Sequence, residues 1–243
     1  MNVVTVESRD STNRAPVLAD AVVVVDVIRS TTTAVTAVSE GRRCLLASSE
    51  EEALRLAASL PKTLLAGEHG GIKPPGWDHT NSPVSMIRDD QDQSPRPVVL
   101  LSSSGTKVIR NLGQPKDVYA ASLRNQRATA DYLAIRYERI ALIGAQTNGE
   151  FRAEDQLCCA RLAQGLVQHG FRAQDLAITI VERWKDVAVD SLAGTTSARY
   201  LRDSGQQDDL RFILDHIDDV DEVLLLRGAE LVCVQDTSAS GSE

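Results

Sequence analysis

No run of 18 or more apolar residues occurs in this chain, which excludes a membrane-spanning helix. The first residues, Met1-Asn2-Val3-Val4-Thr5-Val6-Glu7-Ser8, lack a basic segment followed by an apolar one, so they do not read as a secretory signal. Cysteine is scarce. Cys44, Cys158, Cys159 and Cys233 do not make the disulfide framework of a secreted domain, and they form no pair of CxxC motifs for zinc. A reducing, cytoplasmic setting is the simplest expectation. Positive charge is in deficit: the net charge of −8 argues against nucleic acid or an anionic membrane as partner. An anionic substrate would therefore need a local cationic pocket or a metal. Several phosphate-handling motifs are absent as well. There is no GxxxxGK[ST] loop and no Arg-His-Gly. No Cys-x5-Arg loop surrounds the cysteines, because Gln164 and Gly165 stand six residues after Cys158 and Cys159.

What the chain does have is alternation. Apolar runs at 21–26, 43–47, 63–66, 97–102, 117–121 and 139–144 read as strands. Helical patterns at 31–40, 49–60, 104–112, 124–137, 153–169 and 184–203 fall between and after them. This order predicts an α/β layer fold. The 49–60 helix has a serine cap, then Glu50, Glu51 and Glu52 in its first turn, where the helix dipole favours anions. Residues 222–234 predict two strands around Arg227-Gly228. At 243 residues the chain reads as one domain, 1–243, with the polar stretch Asp89–Pro97 as a possible divider of lobes 1–92 and 97–235. Residues 236–243 read as a mobile tail.

Three strands end in turns that could carry chemistry. The first is Ala21-Val22-Val23-Val24-Val25, followed by Asp26-Val27-Ile28-Arg29 and Ser30-Thr31-Thr32-Thr33. Such a strand, apolar on both faces, ends at the crevice where α/β sheets bind ligands. The segment admits two readings: an anion site at a helix start, or an aspartate and threonines capping a helix with Arg29 in a salt bridge. The second turn is Ser102-Ser103-Ser104-Gly105-Thr106-Lys107, whose small residues allow close backbone approach to a phosphate; taken alone it is as easily a helix cap. The third is Glu154-Asp155 at a helix start, able to serve the dipole or a hard cation. Between the first two lies a loop from Gly67 to Pro83, rich in glycine and proline and carrying Glu68, His69, Lys73, Asp78, His79 and Asn81. Loops of this length inside compact domains are often functional. Asp26 is unlike a haloacid-dehalogenase nucleophile, because Ile28 stands where the second acid is required. His69 and His79 lack a third ligand and do not read as a zinc pair.

Taken in order, these pieces resemble the 2-phosphosulfolactate phosphatases, the ComB-like family. The resemblance rests on Asp26-Val27-Ile28-Arg29-Ser30-Thr31-Thr32, on Gly67-Glu68 with Lys73, Gly76-Trp77-Asp78 and Asn81-Ser82-Pro83, on Gly105-Thr106, on Asn125, and on Glu154-Asp155-Gln156-Leu157-Cys158. The stretch Asp209-Leu210-Arg211-Phe212, with Asp221 and Gly228, also looks like the family's ending. The resemblance implies a three-layer α/β/α fold of two similar lobes, a homodimer, and a Mg²⁺-dependent phosphomonoester hydrolase connected with coenzyme M biosynthesis. The implied substrate is a small anionic phosphorylated acid such as 2-phospho-3-sulfolactate. The expected metal ligands are Glu68, Glu154 and Asp155. The expected catalytic residues are Asp26, as ligand or general base, with Arg29, Lys73 and Asp155. Thr31, Thr32, His69, Asp78, Asn81, Ser82, Ser104, Gly105 and Thr106 would contact substrate. The chain departs from the family pattern at Ser30, His69, Trp77, Thr80, Ser104 and Cys159-Ala160. His69 stands where arginine is frequent, which removes a permanent cation. A non-catalytic protein binding a different anionic metabolite is the alternative.

Overall fold

The computed structural model describes residues 2–10, 12–13, 15–88, 94–112, 117–146 and 149–234. The strands are β1 (Val3–Arg9), β2 (Ala21–Val25), β3 (Cys44–Ala47), β4 (Leu64–Gly67), β5 (Val98–Leu101), β6 (Asp117–Ala121), β7 (Arg139–Ala145), β8 (Arg172–Gln174), β9 (Val223–Arg227) and β10 (Glu230–Val234). The helices are α1 (Ser30–Ser39), α2 (Glu50–Ala58), α3 (Pro83–Arg88), α4 (Gly105–Asn111), α5 (Gln126–Ala134), α6 (Ala153–Gln168), α7 (Leu176–Trp184), α8 (Thr196–Asp203) and α9 (Gln207–Asp215).

The ten strands form one mixed sheet in the order β4-β5-β3-β10-β9-β6-β2-β7-β1-β8. It is built of two parallel blocks. One is β4, β5 and β3; the other is β6, β2, β7, β1 and β8. The hairpin β9–β10 lies between them, antiparallel to β6 on one side and to β3 on the other. Three antiparallel steps reverse the strand direction, so the two blocks run opposite ways. Strand twist of about 20–25° per step accumulates to roughly 100–125° between β2 and β5. Reversal and twist together bring the carboxyl ends of these two strands into contact. The Gly105 N–H, beyond β5, lies 2.8 Å from Asp26 Oδ2, beyond β2.

Helices cover both faces, as the α/β reading expects. β2 is buried at every residue, and its alternating side chains serve different cores. Val23 and Val25 pack with Leu133 of α5 and with Leu157 and Leu162 of α6. Val22 and Val24 pack with Val35 of α1 and Val108 of α4. Burying a valine contributes roughly 1.5–3 kcal/mol, so β2 is a firm anchor for the charged turn at its end. A third cluster joins Leu45, Val99 and Leu101 to Ala53 of α2 and to Trp77 from the long loop.

Two sequence expectations change. The single helix over 184–203 is instead the end of α7, a 3-10 helix at Val189–Gly194, and α8. The break is local: the Thr195 hydroxyl accepts from Ala198 N–H and starts a new helix. β1, β8, α3 and α9 add elements that the periodicity did not signal. In the sheet, β5 lies between β4 and β3, and β2 lies between β6 and β7. Residues 89–93 of the expected linker and 235–243, which include the expected tail, lie outside the described residues.

Candidate active site

The centre of the site is the carboxylate of Asp26. The chain turns after β2 through a cis peptide between Ile28 and Arg29 and enters α1. The Thr31 hydroxyl donates to the Asp26 carbonyl at 2.9 Å and lies 3.0 Å from the Asp26 N–H. Thr32 donates to the Val27 carbonyl at 2.7 Å. Asp26 Oδ2 accepts from the Ser104 hydroxyl at 2.9 Å and from Gly105 N–H at 2.8 Å, while Oδ1 receives only a long contact, 3.4 Å, from Ser30 N–H. The first turns of α1 and α4 thus both point at a carboxylate that the protein supplies. Position 105 tolerates only glycine here: an added Cβ would stand 2.3 Å from Ser30 Oγ and 2.5 Å from Asp26 Oδ2.

Asp26 is buried, and burial pushes its pKa up to about 6; the Ser104 hydrogen bond opposes this and the nearby charge of Glu68 adds to it. Asp155, from the first turn of α6, sits behind it and accepts from Val27 N–H at 2.7 Å. Burial holds the Asp155 carboxyl well above the usual carboxylate range, with the charges of Asp26 and Glu154 pushing the same way. Glu154 is also raised by burial, against a hydrogen bond from Ser197, and its Oε2 is buried without a hydrogen-bond partner.

Glu68 reaches the site from β4. Gly67 permits this with a φ of +144°, where an added Cβ would lie 2.0 Å from the Leu101 carbonyl oxygen. The Glu68 N–H donates to that same carbonyl at 3.0 Å, and Ser103 N–H reaches Glu68 Oε1 at 3.4 Å. The rest of the long loop folds back along β4. Asp78 Oδ2 accepts from Leu65 N–H at 2.8 Å, and Gly67 N–H donates to the His79 carbonyl at 3.1 Å, which covers the sheet edge.

A cavity of about 380 Å³ opens above these groups, with Asp26, Arg29, Glu68, Asn81, Arg152 and Tyr200 on its wall. Arg29 is buried, and its Nη1 bonds Asp209 Oδ2 at 2.9 Å and Gln206 Oε1. Asp209 in turn accepts from the Ser82 hydroxyl at 2.6 Å. Asn81 is buried, with its Oδ1 unpartnered. The Tyr200 hydroxyl donates to the Gly71 carbonyl at 2.9 Å, tying α8 to the long loop. A larger and shallower depression, about 830 Å³, lies between the end of α1, α5 and β9–β10. Its buried arginine, Arg124, is closed on Asp219 at 2.8 and 3.0 Å, and the carboxylates around it, Glu40, Asp131, Asp219, Asp221 and Glu222, are none of them buried.

The expected site residues therefore divide. Asp26, Arg29, Glu68, Asn81 and Ser104 meet at the cavity wall. Asp155, Glu154, Gly105 and Ser82 stand directly behind it, through the contacts above. Thr31, Thr32 and Thr106 are buried with their hydroxyls on the backbone; Thr106 Oγ1 lies 2.9 Å from Ser102 N–H. The Thr31 and Thr32 hydroxyls bond the Asp26 and Val27 backbone in the turn before α1, and the residue at the helix start, Arg29, makes no side-chain cap bond. Lys73 is exposed and donates to the Trp77 carbonyl at 2.8 Å, inside its own loop. His69 faces Glu50 at 3.2 Å, and Asp78 caps β4. Sequence reasoning missed Arg152, Ser197, Tyr200, Gln206 and Asp209 as site residues. Those on α8 were hidden in the misread 184–203 helix. Arg152 and Asp209 had a signal, lying respectively beside Glu154-Asp155 and in the stretch that resembles the family's ending.

Among the described residues no three His, Cys, Asp or Glu side chains stand close enough to cage a metal ion alone. Magnesium does not require such a cage, because it takes one or two carboxylates together with water and substrate oxygens. The donor set fits it: Asp26 and Glu68 present hard carboxylate oxygens at the wall, and Glu154 Oε2 is an unused buried acceptor.

A family profile described as 2-phosphosulpholactate phosphatase matches residues 6–228. A "Probable 2-phosphosulfolactate phosphatase" of Deinococcus radiodurans is 36% identical over 160 residues, 64% of this chain and 66% of that protein. One of Thermotoga petrophila is 33% identical over 177 residues, 71% of this chain and 75% of that protein. For Carboxydothermus hydrogenoformans the figures are 38% over 136 residues, 56% of each chain. The matched stretch thus spans 56% to 75% of these relatives' lengths. The chain belongs to the 2-phosphosulpholactate phosphatase family.

Proposed function

We propose that this protein is a Mg²⁺-dependent phosphomonoester hydrolase that acts on a small phosphorylated hydroxy acid of the 2-phospho-3-sulfolactate class, giving sulfolactate and phosphate. The observation that carries this is Asp26: a buried carboxylate with a pKa of about 6, on the wall of a cavity that also holds two arginines. A general base is most effective when its pKa lies near the working pH. Asp26 Oδ2 is occupied by Ser104 and Gly105, which leaves Oδ1 to take a proton from an attacking water. The hydrogen bonds on Oδ2 fix the ring of groups around it and keep that oxygen aimed.

Uncatalysed phosphate monoester hydrolysis is so slow that enzymes supply accelerations of up to about 10²¹. Positioning contributes only ~7–11 kcal/mol, so charge on the phosphoryl oxygens must be offset. A cation about 4 Å away at an effective dielectric of ~20 contributes about 4 kcal/mol. Arg29 can supply one such contact, with its Nη1 braced by Asp209 and Gln206 so that the side chain holds its orientation. Glu68, with Glu154 and Asp155 behind, would hold magnesium, which would supply charge neutralisation and a more acidic water. Asn81 and the Ser103–Ser104 turn complete the polar lining.

A cytoplasmic homodimer acting in coenzyme M biosynthesis is part of this reading. The cytoplasmic setting is supported by the free thiols of Cys44, Cys158 and Cys159; dimer and pathway rest on the family resemblance. The test is magnesium-dependent phosphate release from a panel of phosphorylated hydroxy acids. Asp26→Asn is expected to lower turnover at least about a hundredfold while circular dichroism stays unchanged. Turnover that survives chelation removes the magnesium, and no turnover with any ester removes the enzyme.

A further inference from the structure

We infer that Arg152 is a specificity-determining residue, which binds the acidic group of the substrate while Asp26 and Arg29 attend to the phosphate. The inference rests on the phosphatase reading and assigns the remaining part of its cavity. Arg152 is the residue that precedes α6, and its extended backbone (φ −64°, ψ 148°) is set by the same helix start that fixes Glu154 and Asp155. Its side chain is 13% exposed and lines the cavity. Burial of that degree calls for partners, and a guanidinium has five N–H groups to satisfy. The partner it has is Glu150, 2.7 Å from Nη1, whose own side chain is 62% exposed. Such a pair contributes little and is readily exchanged. The Nε of Arg152 is buried with no hydrogen-bond partner.

Arg29 differs in its acid. Its partners Asp209 and Gln206 are part of the fold, and Asp209 is buried with it. Of the two arginines on the wall, Arg152 is thus the one whose acid partner is exposed and can be exchanged for an incoming anion. A carboxylate or sulfonate presents two or three oxygens to a planar fork, the match guanidinium makes best. His69 and Lys73 do not compete for this role, since His69 is turned toward Glu50 and Lys73 is bonded within its loop.

The test compares phosphate release from 2-phospho-3-sulfolactate and from glycerol 2-phosphate, which carries no acid group. It uses the wild type, Arg152→Ala and Arg152→Lys, with Arg152→Gln as a replacement of preserved length if the alanine variant does not fold. The ratio of kcat/KM for the acidic over the neutral ester is expected to fall at least about tenfold in Arg152→Ala, mostly through KM, with partial recovery in Arg152→Lys. A ratio unchanged within about twofold, or a loss in kcat that is equal for both esters, overturns the inference. If the wild type releases phosphate from neither ester, the phosphatase reading fails, and titration calorimetry with sulfolactate decides this one. Binding weakened at least about tenfold in Arg152→Ala upholds it; equal binding, or no binding by the wild type, overturns it.

Discussion

Asp26 and Arg152 face the same cavity, yet their surroundings are opposite. Asp26 has its Oδ2 held by the Gly105 N–H and the Ser104 hydroxyl, and its backbone is gripped by Thr31. Arg152 is nearly as buried but keeps an unpartnered Nε and a single exposed acid. The difference is one of division of labour within a small space. A group that moves a proton must be held at one position and one pKa. A group that recognises an anion must keep donors unfilled until the anion arrives, because donors already paired inside the protein gain little from a new partner. Arg29, on the Asp26 side, combines the two: its Nη1 is braced by Asp209 and Gln206, which leaves the rest of its fork for the phosphate.

That comparison can be broken most forcefully at Asp209. Removing this carboxylate with Asp209→Ala leaves the Arg29 guanidinium buried without its ion partner, and losses of ~3–5 kcal/mol are usual in that situation. Urea unfolding should show a drop of about that size. Glu150→Gln, which removes the acid from Arg152, should change stability by less than ~1 kcal/mol. Similar losses for the two variants would mean that the arginines are equivalent and that Arg152 is structural.

The second effect is electrostatic and concerns Asp26 alone. Its folded pKa of about 6 lies above the ordinary aspartate value of 3.8. A carboxyl raised in this way favours the folded state while protonated. That contribution is fully present below about pH 4 and is lost as the pH rises through about 6. A shift of roughly two units corresponds to about 3 kcal/mol. Urea unfolding of metal-free protein between pH 4 and 7 should therefore show the wild type losing about 3 kcal/mol more than Asp26→Asn. Asp155, raised by burial and by the same neighbours, moves in the same direction and loses part of its own shift when Asp26 is neutralised. A wild type that parallels the variant across this range would place the Asp26 carboxyl in a wetter setting, and would remove the pKa argument for its role as base.

Much of the Asp26 side was legible in the chain. The valine run of β2 could only be a strand with both faces covered, and its polar end had to meet the crevice. Ser104-Gly105 and Glu154-Asp155 follow strands in the same way, so a reading by strand ends found all three. What the pattern could not carry was which strand ends meet. The meeting of β2 with β5 depends on a reversal made by β9–β10, far away in sequence. The Arg152 side was less legible for a related reason. Its contributors lie on α8 and at the entry to α6, and α8 was merged into a longer helix because the break at Thr195 is made by one hydroxyl cap rather than by proline. Asp209 depends on its fit to Arg29, Ser82 and Val84 N–H, three partners that no spacing rule connects.

Lys73 offers the finest test of where the boundary between binding and scaffold runs. Its ammonium donates to the Trp77 carbonyl at 2.8 Å and reaches that of Asp78 at 3.4 Å. Those bonds close the loop turn that seats Trp77 in the cluster with Leu45 and Leu101. Asp78 in turn holds β4, whose end delivers Glu68. Lys73→Met removes both bonds from an exposed side chain, and a neutral hydrogen bond contributes ~0.5–1.5 kcal/mol net. The expected result is a rise in KM of about threefold with kcat nearly constant, because the loop is loosened while Asp26 is untouched. A fall in kcat of about a hundredfold would instead require the ammonium to leave its carbonyls and meet the phosphate during turnover, which would return Lys73 to the catalytic group suggested by the family resemblance.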